Sequence, residues 1–341
     1  MGKKVVLDIV FHAQSLNYDQ GGSNYQELKK VSTWDGFNHV LASRYALRYS
    51  LLETLKESGF PIADGKNGNL QLSGSSDKNG VVQVNPNILQ DATIKNFPEF
   101  FFFGFLITKA KTNKRKGEEP TTQGTENGFT IQKPAAVKIS HAISMNPYRN
   151  SPLFYANLGM MKRINKQGSN PFTSEEHLDF YIYNITMDID QMKQISYIAD
   201  KGDEQKIELA EDEFRDYFGQ LLEAVFNLKR NIKGRTEDLS PWVSVIGLYN
   251  EKEPIDIYKD RIYLNKKHTY EVARSEESTK PGSTLIKETI EEGTQPSFTI
   301  HDSNKRGEIK IYHRKYVDVL CQAEKTNDEE SVIKRIIDFV H

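Results

Sequence analysis

From Val5 to Leu16 apolar residues recur at every second position. Val5, Leu7, Ile9, Phe11 and Ala13 share one face and Val6, Asp8, Val10, His12 and Gln14 the other, which predicts a strand. The loop NYDQGGSNYQELKK follows, and STWD then offers Ser32 and Asp35 as a helix start of capping-box type. The helix is expected from about Trp34 to Ser58, with Phe37, Val40, Leu41, Tyr45, Leu52 and Leu55 along one side. Residues 60–96 are rich in Gly, Asn and Asp and read as an insertion with little core of its own. FPEFFFFGFLITK (97–109) is apolar on both faces and predicts a central strand. The polar stretch after it, with Lys109, Lys111, Lys114, Arg115 and Lys116, predicts a mobile basic loop over 110–132.

The next strand is VKISHAISMNPYRN (137–150). Alternation puts Val137, Ile139, His141, Ile143 and Met145 on one face, and Lys138, Ser140, Ala142, Ser144 and Asn146 on the other. An irregular basic segment runs on to Ser174, and HLDFYIYNITMDID (177–190) alternates as a further strand. AEDEFRDYFGQLLEAVFNLKRNIKG is an amphipathic helix with Phe214, Phe218, Leu221, Leu222, Val225 and Phe226 inward. Acids lead it, and Lys229, Arg230 and Gly234 are expected to close it. SPWVSVIGLY gives another strand and DEESVIKRIIDFV a last helix. Two long helices separated by strands predict an α+β fold, a split βαβ or ferredoxin-like core carrying large insertions.

Composition narrows the chemistry. One cysteine, Cys321, excludes an internal disulfide and argues against a cysteine-ligated zinc site. Mean hydropathy of -0.61 and the lack of an 18-residue apolar run predict a soluble, cytoplasmic protein with no membrane association. Net charge is only -2, but it is segregated. From Asn127 to Ser174 there is no acid, against Lys133, Lys138, Arg149, Lys162, Arg163 and Lys166. The chain's average would place roughly 6 or 7 acids in such a window. Glu175 to Glu223 reverses this, with 14 acids against 4 basic residues. A basic face for a polyanion is the reading this favours, with a solvated loop as the alternative.

Arg44 and Arg48 fall inside the predicted apolar stripe, where they need phosphates, or structural partners such as Asp8 or Asp35. His141 lies among apolar neighbours and reads mainly as structural. Ser140 points away from it, so the adjacent pair makes a poor nucleophile and base. The small residues opposite would admit a sugar-phosphate backbone or pack against another element. No phosphate loop, dinucleotide fingerprint or metal motif occurs, so no cofactor and no metal are expected. The aromatic motif of an RNA-recognition sheet is also missing.

Three segments in order, SLNYDQGGSNYQELKK, DGFNHVLASRYALRYSLLE and KISHAISMNPYRNSPLF, resemble the backbone subunit of type I CRISPR Cascade complexes. This is the Cas-seven family of the RAMP superfamily, in its DevR-like, type I-B branch. The resemblance implies one modified RRM-like palm over 1–341, with a finger-like insertion at 60–96 and a thumb-like one at 146–176. It implies a non-enzymatic antiviral protein that grips CRISPR RNA, stacks with copies of itself and other Cascade subunits, and meets target DNA through guide pairing. Carried over, the RNA-binding set is Ser15 and Asn17, then Lys29 and Lys30, Arg44 and Arg48, and Lys138, Ser140, His141 and Ser144. Tyr148, Arg149, Lys162 and Arg163 would sit on the thumb side, with Met160 or Met161 as a wedge. The alternatives are a metal-independent guide-processing endoribonuclease with His12 or His141 as base, and a protein scaffold using the acidic 175–223 segment.

Overall fold

The computed structural model describes residues 2–19, 24–65, 68–72, 81–90, 92–109, 129–164, 171–198, 203–250, 252–265, 275–278, 284–287, 296–301 and 307–341. Its main sheet has nine strands among the described residues. They are β1 (Lys4–Gln14), β2 (Lys30–Ser32), β3 (Asn38–Ala42), β4 (Val137–Ile139), β5 (Ala142–Ser144), β6 (Leu178–Asp188), β7 (Val243–Tyr249), β8 (Glu308–His313) and β9 (Glu324–Thr326). The helices used below are α1 (Arg44–Glu57), α2 (Pro98–Phe103), α3 (Glu211–Phe226) and α4 (Glu329–Val340).

The strand order is β9-β8-β7-β1-β6-β5-β3-β2, with β4 also paired to β6. Pairing is antiparallel except between β8 and β9. Taken with α1 and α3, strands β1, β4 with β5, β6 and β7 follow the βαββαβ path, and β1 is central between β7 and β6. The chain is thus α+β, as its pattern predicts.

β1 is buried on both faces because each meets a layer. Val5, Leu7, Ile9 and Phe11 join Tyr181, Tyr183, Ile185 and Met187 against Leu47, Leu51 and Leu55 of α1 and Phe214, Phe218, Leu221 and Leu222 of α3. Val6 and Val10 join Val243 and Val245 against Tyr258, Ile262, Phe298 and Ile300. The latter residues belong to a small sheet of Ile262–Leu264, Ser297–Ile300 and Asp318–Leu320, or lead into it. Asp8 lies between these two layers with no exposure. Its carboxylate accepts from Asn184 Nδ2 and from Tyr258 N, each at 2.8 Å. Burial pushes its pKa up to about 6, against the hydrogen bonds that pull it down.

Several elements depart from the sequence expectation. STWD does not start a helix; it is the turn of the β2–β3 hairpin, and α1 begins at Arg44 with Ser43 as N-cap. Ser43 accepts from Ala46 N at 3.2 Å, so the capping serine is eleven residues beyond Ser32. Residues 97–109 are not one central strand. Pro98 at N1 starts the short helix α2, and among the described residues the strand Phe105–Lys109 pairs only with Phe129–Lys133. Helix α3 stops at Phe226, and Lys229–Ile232 turns back on Arg235–Asp238 as a hairpin, so Gly234 closes no helix. Arg230 reaches across to accept no role at a helix end; it donates to Leu16 O, Ala46 O and Ser50 Oγ, fastening α1 to the loop after β1. The basic run 110–128 lies outside the described residues, as do 165–170 with Lys166.

Candidate nucleic-acid interface

The strand expected over 137–146 is split at Ser140 and His141. Ile139 faces Ile185, whereas Ile143 faces Ile182, so three residues on one strand oppose two on the other. This is a β-bulge. Ser140 fills it with both ends: its N–H donates to Asn184 O at 2.9 Å, and its Oγ accepts from Asn184 N at 2.9 Å. The extra residue reverses the facing of everything after it. Before the bulge Val137 and Ile139 turn to the helices; after it Ala142 and Ser144 do. His141 therefore leaves the apolar face on which simple alternation put it, and it is exposed.

His141 meets the start of α1. Its Nδ1 accepts from Arg44 N at 3.0 Å, alongside the Ser43 cap, so the neutral ring carries its proton on Nε2. Burial first, then the charges of Arg44 and Lys259, hold its pKa below the usual histidine range. Arg44 is exposed and stacks on the exposed Tyr45, its guanidinium 5.0 Å from the ring centroid. Lys138, on the exposed side of β4, pairs across with Thr186. Lys138, Arg44, Lys259 and the Nε2–H of His141 thus ring the bulge and the positive end of a 14-residue helix. Lys259 comes from the region after Asn250, where sequence patterning is weakest; the fold brings it here because Asp8 anchors Tyr258.

The arginine pair divides. Arg48 is half-buried over the Phe103 ring at 5.1 Å and faces Glu99, so it is a packing residue, with neither Asp8 nor Asp35 as partner. Asp35 instead accepts from Phe37 N within its own turn. Other predicted residues also serve the scaffold. Ser15 is fully buried and exchanges bonds with His177, through Ser15 N to His177 O at 2.9 Å and His177 N to Ser15 Oγ at 2.7 Å. Ser144 is buried, accepting from Val40 N and donating to Asn146 O. Asn17 accepts from Ser43 N at 3.0 Å and ties the loop to the helix start. Lys29 pairs with Asp19 at 2.9 Å. Lys30 donates to both oxygens of buried Glu175, at 2.9 and 2.8 Å, while lying 4.9 Å over the Tyr148 ring. The hydroxyl of Tyr148 in turn accepts from Ser151 N at 3.2 Å.

The first acids of the acidic stretch are likewise internal. Glu175 takes Lys30, Glu176 accepts from Tyr18 and Gln14, and Asp179 accepts from Asn146 N and Nδ2 at 2.7 Å each. They hold the base of a projecting segment in which Pro152–Ala156 pairs with Pro171–Glu175, and the latter with Tyr25–Gln26. Arg149, Lys162 and Arg163 are exposed on it. Phe154 is also exposed, and the Met160 side chain lies outside the described residues.

The two histidines considered as bases do not converge. His12 faces Phe180 and stacks near Trp242, with ring centroids at 4.8 and 5.4 Å. The bulge with His141 sits at Asn184, four residues or roughly 13 Å further along β6. Among the described residues no cluster of His, Cys, Asp and Glu is placed to hold a metal ion, and no helix is long and apolar enough to cross a membrane.

The family model described as CRISPR-associated negative auto-regulator DevR/Csa2 matches residues 5–267. A chain of a solved "CRISPR RNA-guided surveillance complex, pre-nicking" is similar over 99% of this chain and 100% of its own, with 11% identity and a TM-score of 0.53. Another, from a "CRISPR RNA-guided surveillance complex", is similar over the same shares at 11% identity and a TM-score of 0.48. At such identity the first of these shows a shared fold. No curated protein matches in sequence.

Proposed function

The chain belongs to the CRISPR-associated DevR/Csa2 family, which matches it over residues 5–267, and from that premise we propose that it is a non-catalytic, guide-RNA-gripping backbone subunit of a type I Cascade complex, of subtype I-B. The observation that carries this reading is the cluster at the bulge. Arg44, Lys138 and His141 present cations and one N–H donor to solvent around a helix N-terminus, with the half-buried Lys259 adding its charge, and sugar-phosphate oxygens are the matching ligand. Such contacts read shape and charge, and they leave base edges free for pairing with target DNA.

The main sheet and its helices serve as the RRM-like palm. Residues 146–176 act as the thumb, fastened through Lys30, Glu175 and Asp179, with Arg149, Lys162 and Arg163 on its outer side. Residues 60–96 act as the finger. Copies align along one guide, together with other Cascade subunits. The protein works in the cytoplasm and needs no cofactor.

The test is co-expression of the full chain with a CRISPR transcript, followed by sizing of the bound RNA after nuclease treatment. Protected lengths should rise in regular steps, and binding should weaken steeply with salt. A nucleic-acid-free monomer at low salt would overturn the reading. Site-specific cleavage of a repeat transcript, lost in His12→Ala or His141→Ala, would replace it with the nuclease.

A further inference from the structure

Trp34, one of two tryptophans in the chain, is 99% exposed at the tip of the β2–β3 hairpin, and Phe37 beside it is 58% exposed. Nothing in the fold explains this display, since neither ring joins a hydrophobic cluster. The turn that carries them is rigidly built. Gly36 N donates to Thr33 O and Thr33 N to Phe37 O, each at 3.0 Å, and Gly36 has φ +82, a left-handed value that glycine adopts without strain. The Asp35 carboxylate is spent inside the turn on Phe37 N and the Thr33 hydroxyl. The tip therefore offers two exposed aromatic rings, and the exposed Asp35 between them has its carboxylate engaged by the turn's own Phe37 N and Thr33 hydroxyl.

The surroundings point to the kind of partner. Along the turn Trp34 and Phe37 have only polar residues and glycine next to them, Ser32, Thr33, Asp35, Gly36 and Asn38, so the two rings do not extend into a longer apolar run. Asn38 O accepts from Tyr148 N at 2.7 Å, so the hairpin adjoins the acid-free segment with exposed Arg149. Aromatic faces beside cations in a polar field suit unstacked nucleobases. At its other end β3 runs through Ser43 into Arg44, which sets the tip and the bulge cluster roughly 20 Å apart along one edge of the sheet.

We propose that Trp34, supported by Phe37, is a stacking site for a base of single-stranded nucleic acid whose backbone is held at the Arg44–His141 cluster. This rests on the guide-binding reading and adds a base contact to it. Stacking on one aromatic ring contributes about 1–3 kcal/mol per base and is tolerant of sequence.

The experiment uses the full chain carrying Trp242→Phe, so that Trp34 is the only tryptophan, titrated with single-stranded RNA of uniform sequence. A second arm adds the complementary DNA strand to preformed complex. Trp34 fluorescence should be quenched on binding, and Trp34→Ala should weaken binding about tenfold with an unchanged salt slope, while Trp34→Phe keeps most of the affinity. Quenching in the first arm assigns the base to the bound guide; quenching only in the second assigns it to the pairing strand. Because Trp34 is fully exposed, its replacement should leave the circular dichroism spectrum unchanged. If RNA binds with a salt slope but Trp34 is not quenched and Trp34→Ala binds as wild type, the stacking site is wrong and the guide-binding reading stands. A change in assembly size alone would make the tip a protein contact and overturn the proposal. If no RNA binds at low salt, both fail.

Discussion

Arg44 and Arg48 are chemically identical and one helical turn apart, yet the structure gives them opposite tasks. Arg44→Ala should reduce the salt slope of single-strand binding by about 0.7, the value of one lost phosphate contact, without altering the urea midpoint. Arg48→Ala should leave that slope alone and cost about 1 kcal/mol of stability, through the lost stacking on Phe103. A common effect on slope would show that both reach phosphate. Asp8 offers a test by pH. Its folded pKa of about 6 exceeds the ordinary aspartate value of 3.8, so the folded state holds the proton more tightly than the unfolded chain. Stability from this group is fully present below pH 3.8 and is lost as pH rises through 6. Asp8→Asn should therefore be more stable than wild type at pH 7.5 by up to ~3 kcal/mol, with the gap closing near pH 4 in denaturant titrations. A pH-independent gap would contradict the assignment. Sequence alone could name these residues but not their directions. Whether Arg48 meets phosphate or Phe103 depends on a helix that the Phe-rich run was not expected to form.

At the scale of elements, the junction between α2 and the strand Phe105–Lys109 turns on Gly104. Its φ is +69, and a Cβ there would lie 2.3 Å from Lys133 O. Gly104→Ala should cost more than about 2 kcal/mol, read from the urea midpoint, because the clash is with backbone and cannot be relieved by a rotamer. A near-neutral result would mean the junction has another conformation. Strands β1, β6 and β7 and helices α3 and α4 were legible because one period holds along each and their ends carry caps or turns. The start of α1 was not, since Ser32 and Ser43 are both plausible caps and only pairing of β2 with β3 decides between them. The bulge was also hidden: VKISHAISM alternates without interruption, and the slip appears only when its partner strand is known. The exposed aromatics at Trp34, Phe37 and Tyr45 were missed for the related reason that they fit a helical stripe.

Across the whole molecule, charge segregation is resolved differently from its appearance in the sequence. Glu175, Glu176 and Asp179 open the acidic stretch yet point into the base of the projecting 146–176 segment, leaving Arg149, Lys162 and Arg163 outside. Lys30→Ala removes the partner of a nearly buried carboxylate and should loosen that base. Amide exchange should quicken in Tyr25–Gln26 and Pro171–Glu175 and remain slow in α3. Uniform quickening throughout would instead show that Lys30 supports the global fold. Sequence similarity marked the order of the segments, whereas the coupling between residues 30 and 175 required the tertiary structure.

The one-residue insertion at Ser140 and His141 also predicts what a saturation library of this strand would look like. Tolerance to polar replacement should alternate from Val137 to Ile139, skip a beat, and resume with the opposite parity from Ala142. A deletion of either residue at the skip would leave two residues opposite two, so Lys138 and Ala142 would keep their faces in an unbroken ladder. What it would remove is the local chemistry of the bulge, the bonds of Ser140 to Asn184 or the bond from Arg44 N to His141, so its cost should appear in binding before it appears in the fold.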